Sequence, residues 1–336
     1  MKAVGYTHCH PVDHDEALLD LTLPDPPAPK GRDLLVEVRA VSVNPVDTRL
    51  RRTADPAGEP RVLGFDAAGV VRAKGPESVL FPLGAEVFYA GSIARPGTNA
   101  ELHLVDERIV GHKPRTLSFA EAAALPLTAI TAWEALFDRL RIPRGKPAEG
   151  GALLITGGAG GVGSIAIQLA RRLTGLKVIA TASRPESRAW CERMGAHVVL
   201  DHSQDLAKQA KALGVPIPYV FAVTQTERHW NALCELLAPQ GGICVIDDLG
   251  AAEVSRLKPK AAFLAWEAMF ARPVHQTPDM IQQHRLLDEV AHLVDTGAIR
   301  TTVTAHLGRI DAERLVRAHA MVESGRMIGK VVLEGF

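Results

Sequence analysis

The run Gly158-Ala159-Gly160-Gly161-Val162-Gly163 has the spacing G-x-G-x-x-G. Alone the pattern is weak. Here it follows an apolar stretch at 152–156 and opens a helical pattern at 164–173, with Ile165, Leu169 and Leu173 on one stripe. In a strand–turn–helix frame each glycine has a task. The first permits a tight turn, the second lets backbone approach a pyrophosphate, and the third lets helix and strand pack closely. The helix N-terminus, with its unpaired N–H groups, faces the phosphates. The opposing reading is a glycine-rich turn with no ligand. The second strand pattern ends in Thr181-Ala182-Ser183-Arg184, and Arg188 follows one turn later. A site for an unmodified ribose places Asp or Glu at that strand end. A hydroxyl and a guanidinium suit a 2′-phosphate instead, which points to NADPH. As solvated surface charges, Arg184 and Arg188 would carry no such meaning.

The elements that position these residues follow from periodicity. From about residue 150 apolar strands at 152–156, 177–182, 197–200, 219–223, 243–246 and 263–266 alternate with helical patterns at 164–173, 185–194, 205–213 and 227–237. That order implies βαβ units and a parallel, doubly wound sheet. Thr224 and Thr226 follow the fourth strand, at the carboxyl edge where open α/β sheets bind ligands. The first third is β-rich, with strand patterns at 34–43, 64–71 and 85–88 between Pro/Gly turns. Ser118 and Glu121 have capping-box spacing and open a helix. Helices near 280–295 and 312–323 and a strand at 330–333 close the chain.

Composition narrows the function classes. Lys+Arg and Asp+Glu are each 38, so the formal net charge is zero and there is no basic footprint for nucleic acid or an anionic membrane. Cys9, Cys191, Cys234 and Cys244 lie far apart with no Cys-x-x-Cys pair, which supports neither a disulfide framework nor a cysteine-rich zinc site. Cys234 and Cys244 fall in apolar patterns and read as core. The N-terminus turns polar at Thr7-His8, unlike a signal peptide. The uncharged stretch 150–170 is too rich in glycine for a membrane helix. A soluble, cytoplasmic protein is expected. There is no Gly-x-Ser-x-Gly elbow, so a hydrolase is not. His8, His10, His14, Asp13, Asp15 and Glu16 crowd beside Cys9. With Pro11 among them they read as a solvated loop, where an imidazole pair could hold adventitious metal.

Three further stretches are more specific: Val43-Asn44-Pro45-Val46-Asp47-Thr48, Leu63-Gly64-Phe65-Asp66-Ala67-Ala68-Gly69, and Ala90 through Glu101. With the glycine loop and the closing Gly329-Lys330-Val331-Val332-Leu333, they resemble the medium-chain dehydrogenase/reductase superfamily, in its zinc-type alcohol dehydrogenase-like, quinone oxidoreductase-like branch. The resemblance runs over nearly the whole chain. It implies a β-rich GroES-like catalytic domain from 1–124 and 276–336, and a Rossmann domain from 125–275. It places Asn44 beside the nicotinamide, with Asp47 and Thr48 in the same loop, and has Asp66 fix that loop. It puts Thr128 and Thr131 in the cofactor-facing segment. Read without the resemblance, Asn44 caps a turn before Pro45.

Zinc-dependent members of the family carry Cys at the Asn44 position and Gly-His-Glu in place of Gly64-Phe65-Asp66. Asn and Phe supply neither thiolate nor imidazole, so no zinc is expected. The four-cysteine structural lobe is missing too, since no Cys lies between Tyr89 and Ala100. Without a Lewis acid, alcohol oxidation is disfavoured. Hydride transfer to a quinone or an α,β-unsaturated carbonyl needs only donors for the developing oxyanion. Trp266, Met269 and Phe270 could line an apolar substrate wall, or equally pack in a core or dimer interface. The alternatives to such a reductase are a zinc alcohol dehydrogenase and a non-catalytic, crystallin-like NADPH binder. The stretch Ala261 to Phe270 around the sixth strand is mostly apolar with Glu267 its only charge, an edge suited to pairing, so a homodimer is expected unless a loop or the Met280 helix covers that edge.

Overall fold

The computed structural model describes residues 1–145 and 151–336. The chain divides into two compact units, Met1–Ile130 with Phe270–Phe336, and Thr131–Met269. No helix among the described residues is long and apolar enough to cross a membrane. Gly150, at the start of the glycine-rich apolar stretch, lies outside the described residues.

The second unit is built on a six-stranded parallel sheet. In sheet order the strands are Val198–Leu200, Lys177–Thr181, Ala152–Ile155, Ile217–Ala222, Leu237–Val245 and Phe263–Trp266. Relative to chain order this is 3-2-1-4-5-6, the doubly wound arrangement whose switch point lies between the first and fourth strands. All four residues of Ala152–Ile155 are fully buried, as a central strand covered on both faces must be. The helix Gly161–Leu173 returns over the sheet on Ile165 and Leu169, both buried, and ends on Arg171 and Arg172, which complement its dipole. Helix Pro185–Met194 opens on proline and stops at Gly195, whose φ of 109° is left-handed.

The fifth strand starts six residues before the expected 243, at Leu237. Pro239-Gln240-Gly241-Gly242 reads as a turn, and Gln240 is indeed left-handed, with φ 61°. The strand reaches back to Leu237 because Leu237 pairs in parallel with Ile217, and a register irregularity before the Tyr219–Gly242 pair takes up the turn residues. The Phe263 ring of the next strand lies over Gly242, where a Cβ would come within 2.2 Å of it. A π-helical turn, Glu134–Arg139, extends the helix Pro126–Trp133 and has no counterpart in the sequence reading.

The first unit carries a seven-stranded mixed sheet. Asp33–Ser42 pairs antiparallel with Ala67–Lys74, with Leu102–Asp106 and with the C-terminal strand Lys330–Glu334. A smaller sheet joins Lys2–Tyr6 to Leu19–Thr22 and Arg61–Val62. Ser118 and Glu121 form the expected reciprocal cap at Phe119–Ala123. The helices Gln282–Asp295 and Ala312–Glu323 complete the unit. The four cysteines are free, and Cys191, Cys234 and Cys244 are buried. Burial pushes the thiols of Cys191 and Cys244 up to about 12, so both stay protonated.

Candidate active site

In the second unit the glycine loop connects the strand Ala152–Ile155 to the helix Gly161–Leu173. The tight turn falls on Gly157, with φ 60°, and not on Gly158 as the motif reading has it. Gly158 instead packs inward: a Cβ there would lie 2.7 Å from Ala180 and 2.9 Å from the Cys191 sulfur. At Gly163 a Cβ would meet the Gly157 carbonyl at 2.4 Å, so helix and loop approach as closely as backbone allows. Gly160 differs. Its φ is −73° and a Cβ would have only the Gly157 oxygen near it, at 3.5 Å. None of the described residues requires glycine at 160, whereas a phosphate drawn up to the helix N-terminus would. That open cradle above Gly161, Val162 and Gly163 fits a dinucleotide pyrophosphate.

Neighbours absent from the motif hold the loop. The Thr181 hydroxyl accepts from Gly157 N–H at 3.1 Å, and the Thr181 carbonyl accepts from Gly158 N–H at 3.0 Å. Ser164 donates to the Gly160 carbonyl at 2.6 Å and accepts from the Trp190 indole at 2.8 Å. His202, on the loop after the third strand, brings Nδ1 to 3.3 Å from the Thr181 hydroxyl, and its ring lies 6.1 Å from that of His229. Burial lowers the pKa of both imidazoles, which favours their neutral forms.

Ser183 and Arg184 stand half-buried just past the second strand, with the Arg184 guanidinium 3.0 Å from Glu186. Arg188 is no loose surface charge. It donates to the carbonyls of Ala182 and Val199, at 3.3 and 2.9 Å, and so ties the ends of the second and third strands. Thr224 packs its methyl against the Gly157 turn. Thr226 is fully buried, and both its N–H and its hydroxyl donate to Asp247. Trp266 is 54% exposed on the terminal strand and Met269 is buried. Thr131 is buried on the helix Pro126–Trp133.

The first unit gathers a polar cluster around Asn44, which is 1% exposed and caps the helix Pro45–Thr53. Asn44 Nδ2 donates to Asp66 at 2.7 Å, and Asn44 Oδ1 accepts from Lys330. The Lys330 ammonium also donates to the Val43 carbonyl at 2.9 Å and to Asp66 at 3.1 Å, which uses all three of its protons. Asp66 accepts from Leu127 N–H at 2.7 Å through its other oxygen. Asp47 accepts from the N–H groups of Asn44 and Gly64, at 2.7 and 3.0 Å. Thr48 donates to the Pro45 carbonyl at 3.0 Å, and Thr128 to the Leu125 carbonyl at 3.0 Å. Burial pushes the Asp47 carboxyl up to about 7, against the pull of its two N–H bonds and of Lys330. Burial likewise raises Asp66 and lowers Lys330, while their mutual attraction opposes both shifts. Phe270 meets Phe65 edge to face, with centroids 5.4 Å apart. A small cavity of about 40 Å³ lined by Gly91, Ser92, Arg95, His103 and Met280 has room for a water or two and not for a ring system.

A doubly wound sheet of Rossmann order, on a chain that also carries a β-rich unit, is the architecture of the medium-chain oxidoreductases. Residues 30–132 match the alcohol dehydrogenase GroES-like domain, and residues 161–264 match the zinc-binding dehydrogenase domain. A zinc-type alcohol dehydrogenase-like protein of Staphylococcus aureus is 46% identical over 91% of this chain and 92% of its own length. A solved Rhizobium etli protein, assigned as a zinc-dependent alcohol dehydrogenase, is 57% identical with a TM-score of 0.96, covering 100% of this chain and 98% of that one. The solved quinone oxidoreductase of Pseudomonas syringae is 25% identical with a TM-score of 0.83, over 99% of each chain. The chain belongs to the medium-chain dehydrogenase/reductase superfamily, among its zinc-type alcohol dehydrogenase-like proteins.

The donor set around Asn44 does not fit the zinc that the family's name implies. The amide oxygen of Asn44 already faces an ammonium, and the adjoining loop offers the buried phenyl of Phe65. Neither matches the nitrogen and sulfur ligands that zinc takes in dehydrogenases.

Proposed function

We propose that this chain is a zinc-independent, NADPH-dependent reductase of quinones or other α,β-unsaturated carbonyls. The observation that carries the reading is the Asn44–Asp66–Lys330 cluster: a cation fixed by three hydrogen bonds where a metal-dependent dehydrogenase needs open ligand atoms. An alcohol there finds no Lewis acid to lower its pKa, whereas an electron-poor double bond needs none. The quinone oxidoreductase likeness supports the same substrate class.

In this reading the GroES-like part handles substrate and the Rossmann part handles cofactor. The N–H groups of Gly161, Val162 and Gly163 receive the pyrophosphate, which the bare Cα of Gly160 lets approach, in a loop whose shape Gly158 permits; the Gly160 N–H itself donates to the Gly157 carbonyl. Ser183, Arg184 and Arg188 receive the 2′-phosphate, with a donor and two cations where an acidic residue would repel it. Thr128, Thr224 and Thr226 shape the rest of the cofactor's seat. Bound NADPH supplies the hydride. Asn44, Asp47, Thr48 and Thr131 orient the nicotinamide and the substrate carbonyl, with Asn44 held by Asp66 and Lys330. Trp266, Met269 and Phe270 provide apolar surface. Four free cysteines accord with work in the reducing cytoplasm.

We further propose a homodimer through the strand Phe263–Trp266. It terminates the sheet order, and Phe263 and Trp266 are 41% and 54% exposed. Glu267, the only charge in the stretch Ala261 to Phe270, is buried and accepts from the Arg139 guanidinium at 2.9 Å, so it does not charge this edge.

The reductase reading is tested by comparing initial rates of NADPH oxidation with quinones and enones against NADP⁺ reduction with primary and secondary alcohols. Turnover of quinones or enones in excess of alcohols supports it, and the reverse order overturns it.

A further inference from the structure

The loop after the strand Lys2–Tyr6 brings His10, His14 and Glu16 together, and the reductase reading makes no use of them. Their ligand atoms, two imidazole nitrogens and a carboxylate oxygen, all lie within 4.8 Å of one another. The His10 and His14 rings stack at 3.9 Å with 5° between their planes, and His10 Nε2 is 4.0 Å from the Glu16 carboxylate. The backbone that carries them is held. His14 N–H donates to the Pro11 carbonyl at 3.2 Å, Ala17 N–H to the His14 carbonyl at 3.0 Å, and Glu16 N–H to His14 Nδ1 at 3.1 Å. The His10 carbonyl is gripped by Nη1 of Arg51, a fully buried side chain that also pairs with Glu323 and, at 3.3 Å, with His319.

We propose that His10, His14 and Glu16 form a binding site for a borderline first-row dication of the Zn²⁺, Ni²⁺ or Cu²⁺ type, separate from the Asn44 cluster. Two physical arguments support it. Two imidazoles with one carboxylate suit these ions, whereas Mg²⁺ and Ca²⁺ take oxygen ligands. Bonds of about 2.0–2.2 Å leave ligand atoms on one ion at most about 4 Å apart. The observed spacing closes to that by side-chain rotation, which Glu16 and His14 are exposed enough to make. Water completes the coordination. His8 does not join the set, because it faces Asp55 at 3.5 Å. An ion here clips residues 10–16 to one another and stabilises the folded chain by mass action.

The test uses tag-free full-length protein, stripped with chelator and dialysed, titrated with Zn²⁺ alone and with Ni²⁺ alone by calorimetry. One ion per chain is expected, together with a rise in thermal midpoint. His10→Ala/His14→Ala should abolish that binding, Glu16→Gln should weaken it by about tenfold, and His8→Ala should leave it intact. Circular dichroism and NADPH affinity serve as checks that each variant folds. No stoichiometric binding by the wild-type chain overturns the proposal, and so does binding that survives His10→Ala/His14→Ala or is lost with His8→Ala.

Discussion

Lys330 shows how much one side chain carries in this fold. Buried beside Asp66 and Asn44, it holds the loop that the reductase reading places at the nicotinamide. Lys330→Met leaves the Asp66 carboxylate without its cation, and should destabilise the chain by about 3–5 kcal/mol. Adding Asp66→Asn should recover part of that loss, as urea denaturation of both variants would show. Asp47 gives a pH signature. Its carboxyl sits at about 7 in the folded chain, above its ordinary 3.8, so the folded state binds the proton more tightly than the unfolded one. The stability this contributes is fully present below about pH 4 and is lost as pH rises through about 7. Asp47→Asn should lack that decline, and urea midpoints across the range compare the two. In the Rossmann unit, Arg184→Ala should weaken NADPH by about 1.5–3 kcal/mol, the value of a charged hydrogen bond, and leave NADH little changed. It is a cleaner probe than Arg188→Ala, because Arg188 also ties two strands through their carbonyls. Equal dissociation constants for NADPH and NADH in the wild type would sink the preference.

At the scale of elements, the glycine loop separates folding from binding. Gly163→Ala drives a Cβ to 2.4 Å from the Gly157 carbonyl and should disturb the loop itself. Gly160→Ala meets nothing closer than 3.5 Å, so it should fold and melt as the wild type does while losing nucleotide affinity. Calorimetric melting and nucleotide titration of the pair distinguish the two effects. The sequence makes this architecture legible where burial is continuous. The helices Pro185–Met194 and Ala312–Glu323 and the strand Phe263–Trp266 begin and end where pattern and capping residues put them. It is illegible where an element depends on a distant partner. Leu19–Thr22 and Arg61–Val62 are short and exist as strands only through Lys2–Tyr6. The start of Leu237–Val245 hides behind Pro239 and two glycines and is a strand only through the pairing of Leu237 with Ile217. The site divides the same way. The glycines announce themselves by local motif, whereas Asn44 and Asp47 stand out only through the family resemblance. Lys330 is 286 positions from Asn44, and Thr181, Ser164 and Trp190 act through packing that no local pattern encodes.

At the scale of the whole molecule, the exposed terminal strand predicts assembly. Light scattering at micromolar concentration should report a dimer. Leu264→Pro should yield monomer or insoluble protein, because proline removes a ladder donor from the pairing strand. A stable, active dimer carrying that proline would place the interface elsewhere. The most direct measurement of the central claim is NADPH oxidation with a panel of quinones and enones, by wild-type protein whose metals have been stripped with a strong chelator and checked by elemental analysis. The account predicts turnover with at least one member of the panel, undiminished by the chelator and unimproved by added zinc. Activity that vanishes on stripping and returns with zinc would contradict it, as would a protein that binds NADPH and reduces none of the panel.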